Sequence, residues 1–198
     1  MGRGMFLRLA LIAVAAFTAA VGAVALWPKP ERPASGTGES LIGGPFALTD
    51  SEGKRRADAE FRGKHMLVFF GFTNCPDFCP TALVTISQGL EKLGPKAERL
   101  APLFVTVDPE RDTPAQLKNY AQNFDKRIAM LTGSVDDVAG AARAYRVYYA
   151  KRPLEQAGEY TMDHSAYIYL MGPDGKYLTH FRHGISADDL AAALAKRL

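Results

Sequence analysis

Met66–Phe72 reads Met-Leu-Val-Phe-Phe-Gly-Phe, an apolar run with no polar interruption. So short a run, β-branched and aromatic, leaves no face for water. It predicts a strand buried on both sides of a sheet. Leu103–Val107, Leu-Phe-Val-Thr-Val, is a second segment of the same kind. Strands covered on both faces require helices above and below them.

The helices are visible between the strands. Thr81–Leu93 places apolar residues at 83, 86, 90 and 93, a helical spacing, and Gly94-Pro95 ends it. Thr113 is placed to cap a helix with Pro114 at its first position, running to about Phe124. Ser134 is placed to cap a helix through about Tyr145, and Ser186 a final one from Ala187 to Leu198. Ile128–Leu131 is a short strand in this reading. Ala166–Met171 and Lys176–Phe181 flank Gly172-Pro173-Asp174-Gly175, a hairpin turn. Phe46–Thr49 and the turn at Asp50–Gly53 add a hairpin or two edge strands. The expected architecture is α/β: a thioredoxin-like three-layer domain with a mixed central sheet, preceded by an N-terminal transmembrane helix.

That helix is read from residues 9–27, an uncharged run rich in Ala, Val and Leu. About 20 apolar residues cross a bilayer, and the run exceeds the usual apolar core of a signal peptide, so an anchor is favoured over a cleaved signal. Arg3 and Arg8 in segment 1–8 put the N-terminus in the cytoplasm. Residues 28–45, punctuated by Pro28, Pro30, Pro33, Gly36 and Gly38, form a flexible linker, and 46–198 forms the folded domain. On this reading the chain is a single-pass protein of a bacterial inner membrane, with its C-terminal domain in the periplasm. The net charge of +3 over 198 residues leaves no nucleic-acid footprint.

The chemistry is concentrated in Gly-Phe-Thr-Asn-Cys-Pro-Asp-Phe-Cys-Pro, residues 71–80, which contains both cysteines of the chain, Cys75 and Cys79. A disulfide between them would close too small a ring to stabilise much chain, so a structural role is disfavoured. Redox motifs of the thioredoxin kind have two residues between the thiols; here three intervene. Pro76 and Pro80 lack backbone N–H groups, which predicts an irregular turn with the regular helix starting near Pro80. Both sulfurs then stand at the carboxyl edge of the sheet, beside a helix N-terminus that favours thiolate. Two soft thiolates suit Cu(I), with an imidazole completing a trigonal site; zinc would want a fourth protein ligand.

Of the four histidines, His65 precedes the central strand at the wrong end, His180 and His183 lie near the final helix, and all three are expected at the surface. His164 precedes Ala166–Met171. If that strand is antiparallel to Met66–Phe72, His164 arrives beside the cysteine loop. Asp163 and Tyr160 are positioned to orient its ring. Phe72, Phe78, Tyr148 and Tyr149 are expected to pack around the loop. Arg111 and Asp112 are read as a local ion pair.

The motif at 71–80 does not stand alone. Val-Asp-Pro-Glu-Arg-Asp-Thr-Pro (107–114), Leu-Thr-Gly (131–133), Ala-Tyr-Arg-Val-Tyr-Tyr (144–149), Asp-His-Ser (163–165) and Gly-Pro-Asp-Gly (172–175) follow in order. Together they resemble the Sco (SenC) family over about residues 45–198. The resemblance implies a membrane-anchored copper protein of thioredoxin fold that assists assembly of the CuA centre in cytochrome c oxidase subunit II. It implies Cys75, Cys79 and His164 as copper ligands for Cu(I) and also Cu(II), with Asp108 near the site. The partners would be that subunit or another copper acceptor, and a periplasmic copper donor or thiol reductant. The competing reading is a thiol–disulfide oxidoreductase using a redox-active Cys75–Cys79 pair to keep the oxidase cysteines reduced. Against it stand the spacing and the Asp163-His164-Ser165 segment, where such enzymes place a proline. The chain is therefore expected to be no enzyme in its main role. Lys151–Glu159 matches nothing assignable.

Overall fold

The computed structural model describes residues 42–155 and 158–198, within a compact unit spanning Ser40–Leu198. The membrane segment expected at 9–27 and most of the linker lie outside the described residues. Among the described residues, no helix is long and apolar enough to cross a membrane.

β3 (His65–Gly71) is the strand anticipated from the apolar run, and all seven of its residues are buried. It lies parallel to β4 (Leu100–Thr106), which lies parallel to β5 (Ala129–Thr132). On the other side β3 pairs antiparallel with β8 (Tyr167–Met171), and β8 with β9 (Tyr177–Arg182). β1 (Ala47–Asp50) and β2 (Arg55–Ala57) form the N-terminal hairpin, and β1 closes antiparallel on β5. The sheet order is β2-β1-β5-β4-β3-β8-β9, mixed as expected.

α1 (Phe78–Leu93), α2 (Pro114–Ala121), α3 (Val135–Ala144) and α4 (Ala187–Ala195) connect and cover these strands. Their starts follow the caps read from sequence. The side chains of Thr113, Ser134 and Ser186 accept from Gln116, Asp137 and Asp189 backbone N–H groups, satisfying donors that a helix start otherwise leaves unpaired. α2 stops before Phe124, and a 3₁₀ turn at Gly94–Arg99 follows α1. α1 and α4 pack together, and a Cβ added at Gly89 would stand 3.3 Å from Leu190 Cδ2, so glycine leaves room for the close approach.

A two-stranded ribbon, β6 (Tyr149–Pro153) and β7 (Tyr160–His164), was not anticipated. Only Lys151–Pro153 of it falls in the segment that matched nothing; β7 carries Asp163 and His164 of a matched motif. Only Met162 within the ribbon is buried, so its strands carry no apolar alternation by which a sequence reading could find them. The chain enters the ribbon after Arg146, whose φ of 56° turns it out of α3. The core beneath is aromatic: Phe69, Phe70, Phe104 and Tyr145 are each at most 1% exposed.

Candidate metal centre

β3 ends at Gly71, and the cysteine loop begins there. A Cβ on Gly71 would stand 2.9 Å from Cys79 Sγ and 2.9 Å from Phe104 Cε2. Real Cβ atoms do not approach that closely, so glycine at 71 is what lets the sulfur sit against the strand end. Helix α1 starts at Phe78, two residues earlier than expected, which places Cys79 in its first turn. Pro80 is tolerated because first-turn N–H groups have no intrahelical partner. The Cys79 N–H, one of those orphan donors, points at Cys75 Sγ at 3.4 Å. Cys75 therefore stands where a helix N-terminus welcomes negative charge.

His164, the last residue of β7, arrives from the other side. Its Nε2 lies 3.5 Å from Cys79 Sγ. Its Nδ1 lies 3.0 Å from the carbonyl oxygen of Ser165. A carbonyl only accepts, so Nδ1 carries the proton and Nε2 is left to face the sulfurs. The ring is held edge-on between Phe72 and Phe69, with centroids at 5.8 and 6.3 Å. Ser165 also ties the ribbon's ends, its N–H donating to Tyr148 O at 2.9 Å and its Oγ accepting from Tyr148 N at 3.1 Å.

Both cysteines are free, Cys79 fully buried and Cys75 9% exposed. They share their charge unequally. A hydrogen bond from the Cys79 thiol, aided by backbone N–H groups at the helix start, holds the Cys75 thiol far below its ordinary range. Cys79 moves the opposite way, because it donates to Cys75 and because it is buried. The pair carries one thiolate readily and the second proton is retained.

Two carboxylates brace this arrangement without touching the sulfurs through any hydrogen bond. Asp112, fully buried, accepts from Thr73 N at 3.0 Å, Thr73 Oγ1 at 2.6 Å and Thr106 Oγ1 at 2.5 Å. It pins the root of the cysteine loop to the end of β4. Burial pushes its carboxyl upward. The expected Arg111–Asp112 ion pair is absent. Arg111 instead pairs with Asp108, its guanidinium stacked 3.8 Å over the Tyr160 ring. Asp108, 1% exposed, accepts from Tyr160 OH at 3.0 Å, and Arg111 Nη1 donates to Tyr160 O at 2.9 Å. Asp108 thus anchors the start of β7, the strand that ends in His164.

The remaining expectations divide. Asp163 does not orient the imidazole: its carboxylate is held by Arg152 at 2.6 Å, and the Ser165 carbonyl takes the role assigned to it. Tyr160 serves Asp108 rather than the ring. His65 is buried, not a surface residue. His183 stands at the mouth of the site, edge-on to Phe78 at 4.7 Å, because β9 runs antiparallel to β8 and ends at the same sheet edge. Phe72 packs beneath the loop, whereas Phe78 and Tyr148 project into solvent. Sequence reading missed Asp112 and Ser165; Asp-x-x-x-Asp after a buried strand and the serine directly after the histidine were the available signals.

The donor set fits copper. Bonds of roughly 2.3 Å to sulfur and about 2.0 Å to nitrogen, opened to about 120°, separate the two donor atoms by about 3.7 Å. The 3.5 Å approach of Cys79 Sγ to His164 Nε2 is close to that. Among the described residues, no three His, Cys, Asp or Glu side chains already surround an ion-sized point. The Cys79 thiol proton is instead donated in a hydrogen bond to Cys75 with His164 Nε2 alongside, so a metal would enter by replacing that proton.

Comparison with known proteins gives concordant results. Residues 34–198 match the SCO1/SenC family. The human mitochondrial SCO1 homolog is 39% identical over 163 residues, 81% of this chain; the chain spans 54% of that protein's length. The structure of Bradyrhizobium japonicum ScoI with copper bound superposes with a TM-score of 0.74 at 46% identity, covering 79% of this chain and 99% of that one. BsSco, described as a member of the Sco family of cytochrome c oxidase assembly proteins and as having a disulfide switch, superposes at 0.59 with 28% identity over 77% and 90% of the two chains.

Two outcomes are expected. Thiolate absorbance should show one thiolate per apo molecule already near pH 6, roughly two units below the ordinary thiol value, with the second appearing only in strong alkali. Both thiols titrating together near their ordinary value would contradict the geometry. Asp112→Ala, which strands three donors, should cost about 2–4 kcal/mol in denaturant unfolding. A loss under about 0.5 kcal/mol would refute its bracing role.

Proposed function

This chain belongs to the SCO1/SenC family, and from that premise we propose that it is a copper metallochaperone that assists assembly of the CuA centre of cytochrome c oxidase. Cys75 and Cys79 hold Cu(I) as thiolates, and His164 supplies the third ligand through Nε2. The observation that carries this reading is the convergence of three donors at one sheet edge. Cys75 Sγ accepts a hydrogen bond from the Cys79 N–H, and Cys79 Sγ lies 3.5 Å from His164 Nε2. The copper-bound ScoI relative supports the choice of metal.

Copper is cargo here, so binding must be reversible. Cys75 meets the incoming ion as a thiolate. Cys79 must release its proton as its metal bond forms, which ties retention to pH and to the intactness of the cluster. Delivery proceeds by ligand exchange: an acceptor thiolate bonds to copper as a chain thiolate leaves, with no change of oxidation state. Imidazole also suits Cu(II), so the same site holds the oxidised ion. A Cys75–Cys79 disulfide removes two of the three donors and switches binding off. The disulfide switch named for BsSco supports that coupling.

The low-lying Cys75 thiol beside a buried Cys79 also suits thiol–disulfide exchange, with Cys75 attacking and Cys79 resolving. We take that as an accessory activity. It would keep the cysteines of oxidase subunit II, the acceptor in this reading, reduced and able to take metal. The reading extends to the whole chain: residues 9–27 anchor it in the bacterial inner membrane and the domain faces the periplasm, where a copper donor or thiol reductant supplies it. The apolar run flanked by Arg3 and Arg8 supports this placement.

Competition titration with a Cu(I) chelator is the test. His164→Ala is expected to weaken Cu(I) binding by at least about tenfold while circular dichroism stays unchanged. Unaltered affinity removes His164 from the site. Fast copper-independent disulfide reduction, with no copper retained, would instead favour the oxidoreductase.

A further inference from the structure

The rim of the site is unlike the rest of the surface. Phe78 is 55% exposed and Tyr148 is 64% exposed, and these are the exposed aromatics among the described residues. Both stand at one mouth. Tyr148 lines a shallow groove together with His164, Arg182 and His183. Phe78, from the first turn of α1, packs edge-on against His183. Large aromatics left in solvent around a functional opening mark an interaction surface.

The groove is also electrostatically one-sided. Asp163, its one carboxylate, is committed to Arg152 at 2.6 Å. Arg182 is exposed and has no ion-pair partner among the described residues. Aromatic side chains beside an arginine are the composition from which binding hot spots are built. The thiols lie below this rim, Cys79 at 0% and Cys75 at 9% exposure. A ligand from another protein reaches them only by seating on the rim.

We propose that Phe78, Tyr148 and Arg182 form the docking surface for the copper-accepting protein, whose matching face presents carboxylates to Arg182 around an apolar tip. This rests on the reading of the site as a copper donor. The unpaired cation sets the charge of the partner, and the position of the rim over the sulfurs selects the acceptor rather than a second copy of the chain. Arg182 then speeds encounter, and the two aromatics hold the complex during ligand exchange.

The test uses the full-length protein in detergent, loaded with Cu(I), and the apo CuA domain of oxidase subunit II as acceptor. Arg182→Glu and Tyr148→Ser are each expected to slow second-order transfer at least about tenfold at low ionic strength, and Arg182→Glu to flatten its salt dependence. Cu(I) affinity by chelator competition should stay within about twofold of the parent. Transfer within about twofold of the parent, with copper binding intact, overturns the proposal. So does a loss of transfer that tracks a change in self-association in sedimentation velocity. If the parent binds no copper, the metallochaperone reading fails and docking is read directly. Calorimetric binding of the apo chain to the acceptor domain that falls with Arg182→Glu supports the surface; binding unaffected by Arg182→Glu and Tyr148→Ser, or none at all, overturns it.

Discussion

The approach of His164 Nε2 to Cys79 Sγ at 3.5 Å joins residues 85 positions apart, and most of the domain can be read as the apparatus that holds it. β3 delivers the cysteine loop to one edge of the sheet. β8, antiparallel to β3 with Met66 opposite Met171 and Phe69 opposite Ile168, begins at that edge, so the residues just before it arrive beside the loop. Gly71 leaves room for the sulfur, and the Asp112 carboxylate fixes the loop's root through Thr73 and Thr106. On the histidine side the Asp108–Arg111–Tyr160 cluster anchors the start of β7, and Ser165 sets the ring's proton. Rigid strands and buried hydrogen bonds supply each constraint, the condition under which a donor set stays preorganised.

The charge at the site follows from the same geometry. The hydrogen bond from the Cys79 thiol, helped by the helix N-terminus, stabilises one thiolate on Cys75, while that same bond and burial keep the second proton on Cys79. Such a pair gains from a cation that replaces the retained proton, and it also gives up that cation when outside thiolates compete. The site therefore suits custody of a metal better than permanent storage. The same unequal pair is prone to oxidation, which explains why one loop serves both copper binding and redox control in this account.

Much of the fold was legible because apolar runs and caps act locally. Met66–Phe72 has no polar residue to spare for solvent, and Thr113, Ser134 and Ser186 satisfy helix ends a few residues away. His164 was legible through one topological step, the antiparallel pairing of β8 with β3. What escaped depends on long-range contacts that leave no local trace. The β6–β7 ribbon carries Lys151, Arg152 and Pro153 and is fastened through Tyr160 by Asp108 and Arg111, which lie outside it. Asp112 sits beside Arg111 in sequence, which suggested a surface ion pair; in space it turns inward to threonines on two other segments. His183 seemed distant because the hairpin's return to the same edge was not followed to its end.

X-ray absorption on the Cu(I)-loaded full-length protein addresses the central claim most directly. The account predicts a three-coordinate copper with two sulfur neighbours and one imidazole nitrogen. A spectrum without sulfur ligation, or with two sulfurs and no imidazole scattering, would contradict it.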